Sequence, residues 1–298
     1  MANYSNNIDE PVDDLIFESI KPTSPKSFFL FAGAGSGKTR TLVNVLERFK
    51  IEFGKNYKLK NKRIAIITYT NAAADEISHR LEYSSIFNIS TIHSFCWELI
   101  KNFTSDIKAW IEQNLNIEIS ELEEQQSRSR DLNNKTSISR AQKIESKKKR
   151  LQALENIQKF IYNPNGDNIT KDSLNHSEVI SIGADFIKSK DLFKQILMNR
   201  FPVILIDESQ DTKKELIEAL FELESHNDGK FTLGLFGDTM QRIYADGKEN
   251  LRMGLPDTWV KPAKKMNHRS KSRIIDLMNK IRKDIDGQEQ FPRLENTG

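Results

Sequence analysis

A chain of 298 residues with 37% hydrophobic and 29% charged residues and a mean hydropathy of −0.58 is long enough for one large domain with an insertion, or for two domains, and too apolar to be disordered throughout. Its formal charge of +3 decides nothing about a nucleic-acid partner, because a local patch matters more than the total. The single cysteine, Cys96, excludes an internal disulfide and fits a reducing compartment; with no apolar leader in Met1 to Asp14 and no apolar run long enough for a bilayer, the expectation is a cytoplasmic protein without membrane contact.

The first ten residues read as a loose tail, after which Val12, Leu15, Ile16 and Ile20 recur at helical spacing until Pro22 and Pro25 break the pattern. Phe28 to Phe31 is a continuous apolar run that stops at a glycine-rich loop. Leu42, Val45, Leu46 and Phe49 then mark one face of a helix. The order strand then helix repeats twice: Ile64 to Ile67 before a helix from about Ala72 to Leu81, and Ile86 to Ile89 before a helix carrying Phe95, Leu99 and Ile100. Such alternation predicts an α/β fold, a parallel sheet covered by helices.

From about Thr104 to Met198 the texture turns charged and polar, which predicts a mostly helical insertion with a mobile loop around Arg128 to Ser139. Within it the run Lys147 to Arg150, with Arg140 and Lys143 upstream, is either a solvated helix face or a track for phosphates. Sheet texture returns with Val203 to Asp207, a helix from about Lys213 to Leu223, and a strand from Thr232 to Gly237, so the insertion interrupts one α/β domain. After Pro256 a basic stretch that includes Lys261, Lys264, Lys265, Arg269, Lys271 and Arg273 leads into a helix from Ser272 to Lys283. No period of the repeat-protein kind is present.

The segment Ala32-Gly33-Ala34-Gly35-Ser36-Gly37-Lys38-Thr39 closes a strand and opens a helix. That places backbone N–H groups and a helix N-terminus where a phosphate chain would lie, as in a P-loop. Gly33 to Arg40 are the expected nucleotide contacts. Lys38 would reach the β- and γ-phosphates of ATP, and the Thr39 hydroxyl would ligate Mg²⁺; Ala32 stands where the general motif has its first glycine. The second constellation, Val203 to Glu208, ends a buried strand in two carboxylates. Asp207 would hold the metal, and Glu208 would orient or deprotonate the attacking water. A strand ending in Asp-Glu is common as a solvated terminus, and the P-loop is what gives this one its meaning.

AGAGSGKT, TYTNAAADEI, STIHSF, LIDESQDT, GLFGDTMQRIY and KMNHRS stand in the order and rough spacing of UvrD/Rep-like superfamily 1 helicases, and the chain resembles that family from Phe31 to about Ser270. The resemblance implies a P-loop NTPase with a RecA-like parallel sheet and a helical subdomain inserted in it. The parts would be 1–103 and 199–264 for the first motor domain, 104–198 for the insertion, and 265–298 for the start of a second motor domain. It implies 3′–5′ translocation on single-stranded DNA driven by hydrolysis of Mg·ATP. Residue by residue, it implies that Gln210 and Asp211 link the metal site to neighbouring motifs. Gln241 would sense the γ-phosphate, and Arg269 would be a cationic contact to it. His268 would lie where relatives stack a tyrosine on adenine. Tyr69, Asn71, Thr91, His93 and Tyr244 would line the DNA path.

Three departures qualify that expectation. No glutamine precedes Lys38 to read the adenine edge. An imidazole, His268, offers a smaller stacking face than tyrosine, and Ala245 and Asp246 stand where an aromatic would stack a base. The sequence also stops about thirty residues beyond NHRS, before the later family motifs, which reads as a C-terminal truncation or as a protein that works with a partner. Two functions therefore stand side by side: the ATP-binding motor portion of a UvrD-like helicase, and a nucleotide-gated interaction subunit of a DNA repair or anti-phage defence complex. A small-molecule kinase would leave LIDESQDT and GLFGDTMQRIY unexplained.

Overall fold

The apolar runs of the sequence become strands because each must bury both faces. The computed structural model of the protein describes residues 8–129, 131–164, 169–227, 229–238, 240 and 254–293. In chain order the elements are α1 (Glu10–Ile20), β1 (Phe28–Ala32), α2 (Lys38–Leu59), β2 (Ile64–Thr68), α3 (Asn71–Arg80), β3 (Phe87–Thr91), α4 (Ile92–Ile100), α5 (Thr104–Ser127) and α6 (Lys135–Ala153). They continue with α7 (His176–Ser189), α8 (Asp191–Arg200), β4 (Val203–Ile206), α9 (Lys214–Ser225), β5 (Thr232–Gly237), β6 (Ala263–Lys264), β7 (Met266–Asn267), α10 (Ser272–Lys283) and β8 (Phe291–Pro292).

Six strands pair in parallel in the order β3-β2-β4-β5-β1-β6, and β7 and β8 form a separate parallel pair. Every residue of β1, β2, β4 and β5 is buried, as a parallel sheet covered on both faces requires. Parallel pairing also sends the carboxyl end of every strand to one edge, where loops from distant parts of the sequence meet.

On one face α1 and α2 cover the sheet. Val12, Ile16, Phe17 and Ile20 pack with Leu42, Val45, Leu46 and Phe49 over Phe28, Leu30, Ile66 and Phe236. Leu15, expected on the apolar face of α1, is turned away and 47% exposed, and Phe17 goes inside instead. At 100° per residue, Leu15 falls outside the arc that Val12, Ile16, Phe17 and Ile20 define.

The chain divides into two compact units, Met1–Phe95 with Ala184–Gly298, and Cys96–Gly183. These limits differ from the cuts expected at 104, 199 and 265. The second unit starts inside α4 because Cys96 packs on Gly183 and the Trp97 ring lies 5.9 Å from that of Tyr162. The Tyr162 hydroxyl in turn pairs with His176 Nδ1 at 2.6 Å. Lys265–Arg293 belongs with the sheet, for the reasons given below.

Within the second unit α5 buries Ile107, Ile111, Leu115 and Ile119, a four-residue spacing that makes one stripe. The loop expected over 128–139 is shorter. Asn134 caps α6 by accepting a hydrogen bond from the Ser137 N–H at 2.8 Å, so residues from Lys135 onward are helical. The basic run is neutralised inside its own unit: Lys147 pairs with Glu118, Lys148 with Glu123, Lys149 with Glu145 and Arg150 with Glu178. It is a salt-bridged helix face, not an open phosphate track. Burial pushes the Cys96 thiol up to about 12, which leaves it inert toward thiol reagents. Among the described residues no helix is long and apolar enough to cross a membrane.

One glycine in the sheet is required by packing. A Cβ on Gly234 of β5 would lie 2.4 Å from Phe28 Cζ and 2.5 Å from Leu205 Cδ2, side chains of the two flanking strands. Gly234→Ala is therefore expected to lower stability by about 1–3 kcal/mol, read as a lower urea midpoint; an unchanged midpoint would show that Phe28 and Leu205 repack freely.

Candidate nucleotide site

β1 ends at Ala32, and the chain then turns through Gly33–Gly37 into α2. The turn needs left-handed backbone at Gly35 (φ 74°) and Gly37 (φ 80°), which side chains rarely adopt. Gly37 is the N-cap of α2, and no side chain caps that end. The first-turn N–H groups and the positive end of the helix are thus presented at the loop, the arrangement that binds a phosphate chain. The Ser36 hydroxyl is buried without a hydrogen-bond partner. Arg40 is exposed on the first turn of α2, and Thr39 is partly buried.

Across the edge, β4 delivers Asp207 and Glu208. Asp207 is 8% exposed and its N–H donates to the Ile67 carbonyl at 2.8 Å, which fixes it beside the end of β2. Burial first, and then the charge of Glu208, push its carboxyl up to about 6, against the opposing pull of Lys38 and of the Glu208 N–H. Glu208 adopts left-handed backbone (φ 51°, ψ 47°). That turn aims its carboxylate at the P-loop, where Oε2 accepts from Lys38 Nζ at 2.8 Å and from Gln210 Nε2 at 2.8 Å. The Gln210 Oε1 accepts from the Asp238 N–H at 3.3 Å. Gln210 thus ties the end of β4 to the end of β5.

Lys265–Arg293 closes the other side of the loop. Asn267 Nδ2 donates to the Ala34 carbonyl at 3.0 Å and the His268 N–H to the Gly35 carbonyl at 2.8 Å. Asn267 Oδ1 accepts from the N–H groups of Arg269 and Ser270. A Cβ on Gly37 would lie 3.5 Å from His268 Cδ2, and one on Gly35 would lie 2.9 Å from Arg269 Cβ. His268 and Arg269 therefore both stand at the loop. Partial burial and the charges of Lys264, Arg293 and Arg40 lower the His268 pKa, with Asp9 opposing.

Several residues here escaped the sequence reading. Asp9 accepts from the N–H groups of Lys265 and Met266. Asp13 accepts from Thr41 and Asn44, and Lys264 Nζ donates to Thr41 Oγ1 at 2.7 Å. Asp238 and Arg282, both almost fully buried, form a two-point ion pair at 2.7 and 3.1 Å, and Arg282 also binds Asp286. Asp238 sits inside a quoted motif; nothing in the linear spacing marks Arg282 as its partner.

Of the expected DNA residues, Tyr69, Asn71, Thr91 and His93 fall at the same sheet edge. Thr68 of β2 and Thr91 of β3 are in register. Tyr69 and Asn71 follow the former and are exposed, and His93 follows the latter and is partly buried. Thr91 is buried, with its hydroxyl on Ser94, so this side chain supports the turn. Gln241, Tyr244, Ala245 and Asp246 lie outside the described residues.

The chain matches the family described as UvrD/REP helicase N-terminal domain over residues 17–246. It is 28% identical to the Gabija protein GajB of Bacillus cereus strain HuB5-5, over 90% of this chain and 48% of that one. It is 28% identical to the ATP-dependent DNA helicase Rep of Buchnera aphidicola subsp. Schizaphis graminum, over 85% of this chain and 41% of that one. To the ATP-dependent DNA helicase PcrA of Staphylococcus epidermidis strain RP62A it is 26% identical over 87% of this chain and 38% of that one. The chain spans less than half the length of each of these relatives.

Asp207 gives a signed pH dependence. Its folded pKa of about 6 exceeds the ordinary 3.8, so the folded state holds a proton that the unfolded state releases between about pH 4 and pH 6. That contribution to stability is present at the acid end of the window and lost as pH rises through 6. Asp207→Asn removes the buried charge and is expected to stabilise the nucleotide-free chain at pH 7.5 by about 1–3 kcal/mol, and to flatten the acid limb in denaturant titrations at pH 5 and 7.5. Equal stability of the two proteins at both pH values would refute the assignment.

Proposed function

The chain belongs to the UvrD/REP helicase N-terminal domain family, and from that premise we propose that it is the ATP-hydrolysing motor portion of a 3′–5′ DNA helicase. The observation that carries the reading is the 2.8 Å bond between Lys38 and Glu208. It sets the cation of a phosphate loop against the carboxylate of the neighbouring strand end, with Asp207 next to it. Glu208 takes the place on Lys38 that a phosphate oxygen would take. When ATP binds, Lys38 exchanges that carboxylate for the β- and γ-phosphates, and Glu208, still held by Gln210, is released to orient a water and accept its proton.

Thr39 and Asp207 would hold the divalent ion. Two hard oxygen donors, with no grouping of three or more His, Cys, Asp or Glu side chains for a metal among the described residues, suit Mg²⁺ bound largely through nucleotide phosphates. The ion supplies charge neutralisation at the phosphates when bound. Arg269 would stabilise the transferred phosphate from the far side of the loop, with Gln241 as its sensor. His268 would lie on the base. Single-stranded DNA would run along the ledge made by Tyr69, Asn71 and His93, with Thr91 supporting the turn beneath, where aromatic stacking tolerates any sequence; Tyr244 would be a further contact.

A second reading is favoured by the altered base side, where His268 replaces a larger ring and no upstream glutamine is present. Under it the chain is a nucleotide-gated interaction subunit of a DNA repair or anti-phage defence complex, and its similarity to GajB over 90% of its length supports that reading. Both place the protein in the cytoplasm with ATP and Mg²⁺ as ligands, and both accommodate a protein partner or a second motor half.

ATP turnover of the chain, measured with and without single-stranded DNA, tests the first reading. Lys38→Ala is expected to abolish Mg·ATP binding, and Glu208→Gln to keep binding while lowering turnover by about 10²-fold or more. DNA affinity should fall steeply with salt. Turnover retained in Glu208→Gln would defeat the general-base role; binding of ATP with no affinity for DNA at low salt would favour the second reading.

A further inference from the structure

Gln290 lies beyond every motif singled out in the sequence, 20 residues past Ser270, yet it is 2% exposed and packed on the phosphate loop. Its Nε2 points to the Ala34 carbonyl at 3.4 Å, and its Oε1 accepts from Asn267 Nδ2 at 3.0 Å. Asn267 Nδ2 also donates to that Ala34 carbonyl, so the two amides and the loop form a closed triangle. A Cβ on Gly33 would stand 2.5 Å from Gln290 Nε2 and 3.0 Å from Arg282 Nη1. Gly33 is thus the position at which the loop backbone admits this side chain.

The placement of Gln290 is itself over-determined. Asn279, on α10, grips its main chain from both directions: the Gln290 N–H donates to Asn279 Oδ1 at 2.9 Å, and Asn279 Nδ2 donates to the Gln290 carbonyl at 2.8 Å. Next door, the Phe291 N–H donates to the Lys265 carbonyl at 2.7 Å in the β7–β8 pair. A residue that merely filled space here would be apolar. An amide fits here because, beyond the bond they make to each other, the Ala34 carbonyl has a second lone pair and Asn267 Nδ2 a second N–H, which take a donor and an acceptor.

We infer that Gln290 is a positioning residue for the nucleotide site: anchored by Asn279, it holds the Ala34 carbonyl, and with it the Gly33–Lys38 backbone, in the phosphate-receiving conformation. The role rests on the reading of that loop as a nucleotide site. Gln290 does not touch phosphate; it acts through the loop. Arg282, beside it, holds Asp238 and so fixes the end of β5.

The test is hydrogen exchange of the loop amides in the nucleotide-free full chain. Gln290→Met keeps an unbranched side chain of similar volume and loses both hydrogen bonds. It is expected to speed exchange over Gly33–Lys38 by about fivefold or more, and to weaken Mg·ATP binding, by calorimetry, about three- to tenfold. Asn279→Ala, which removes the anchor without touching the loop, should move both readouts in the same direction. Faster exchange confined to Met266–Asn267 and Phe291–Pro292 would make Gln290 a tether only and overturn the inference, as would loop exchange unchanged in both variants. If the wild-type chain and Lys38→Ala both fail to bind Mg·ATP, the reading of the site falls, while loop exchange still decides the role of Gln290.

Discussion

An ammonium and a carboxylate 2.8 Å apart join the end of the first strand to the end of the fourth, and the chemistry proposed for this chain is arranged around that contact. It exists because parallel pairing puts both strand ends at one edge, with only β5 between β1 and β4. It places the carboxylate proposed to act on water within one exchange of partner from the proposed phosphate position. Under the proposed function, Lys38 Nζ cannot bind phosphate and stay on Glu208 with full strength, so nucleotide arrival and release of the carboxylate would be one event.

The loop that carries Lys38 is held from two directions. On the sheet side, Gln210 connects Glu208 to the end of β5. On the other, the segment after β6 makes hydrogen bonds to two of the loop's own carbonyls, those of Ala34 and Gly35. Asp9, ahead of the first strand, fixes the start of that segment through the N–H groups of Lys265 and Met266. Residues from both ends of the chain therefore define the surroundings of a loop near its start, and the site is a product of long-range pairing more than of local motif.

That division explains what was legible in advance. The strands, the P-loop turn and Asp207 with Glu208 could be read because each is a local signal: an apolar run of strand length, a glycine pattern between strand and helix, an acidic pair ending a run. The partners that complete the site could not be read so. Arg282 lies on a basic helix and looks like a solvated cation until Asp238 is brought to it by the sheet. Gln290 follows a turn with no pattern around it. The insertion misled for a related reason: polarity over 128–139 reads as loop, but the Asn134 cap starts a helix inside it. Three residues of the basic run of α6, Lys147, Lys148 and Arg150, find their carboxylates on other helices of their own unit, pairings that a linear reading cannot supply.

Glu208 sits in left-handed backbone, which costs a non-glycine residue about 1–2 kcal/mol, and it places a second negative charge beside a buried aspartate. Glycine or asparagine at 208 and asparagine at 207 would each relieve part of that. A redesign that ranked substitutions by folding free energy alone would therefore replace these two side chains early and return a sturdier protein stripped of its proposed water-activating and metal-holding carboxylates. Under the proposed function, 207 and 208 are therefore positions to exempt from any stabilising mutagenesis of this chain.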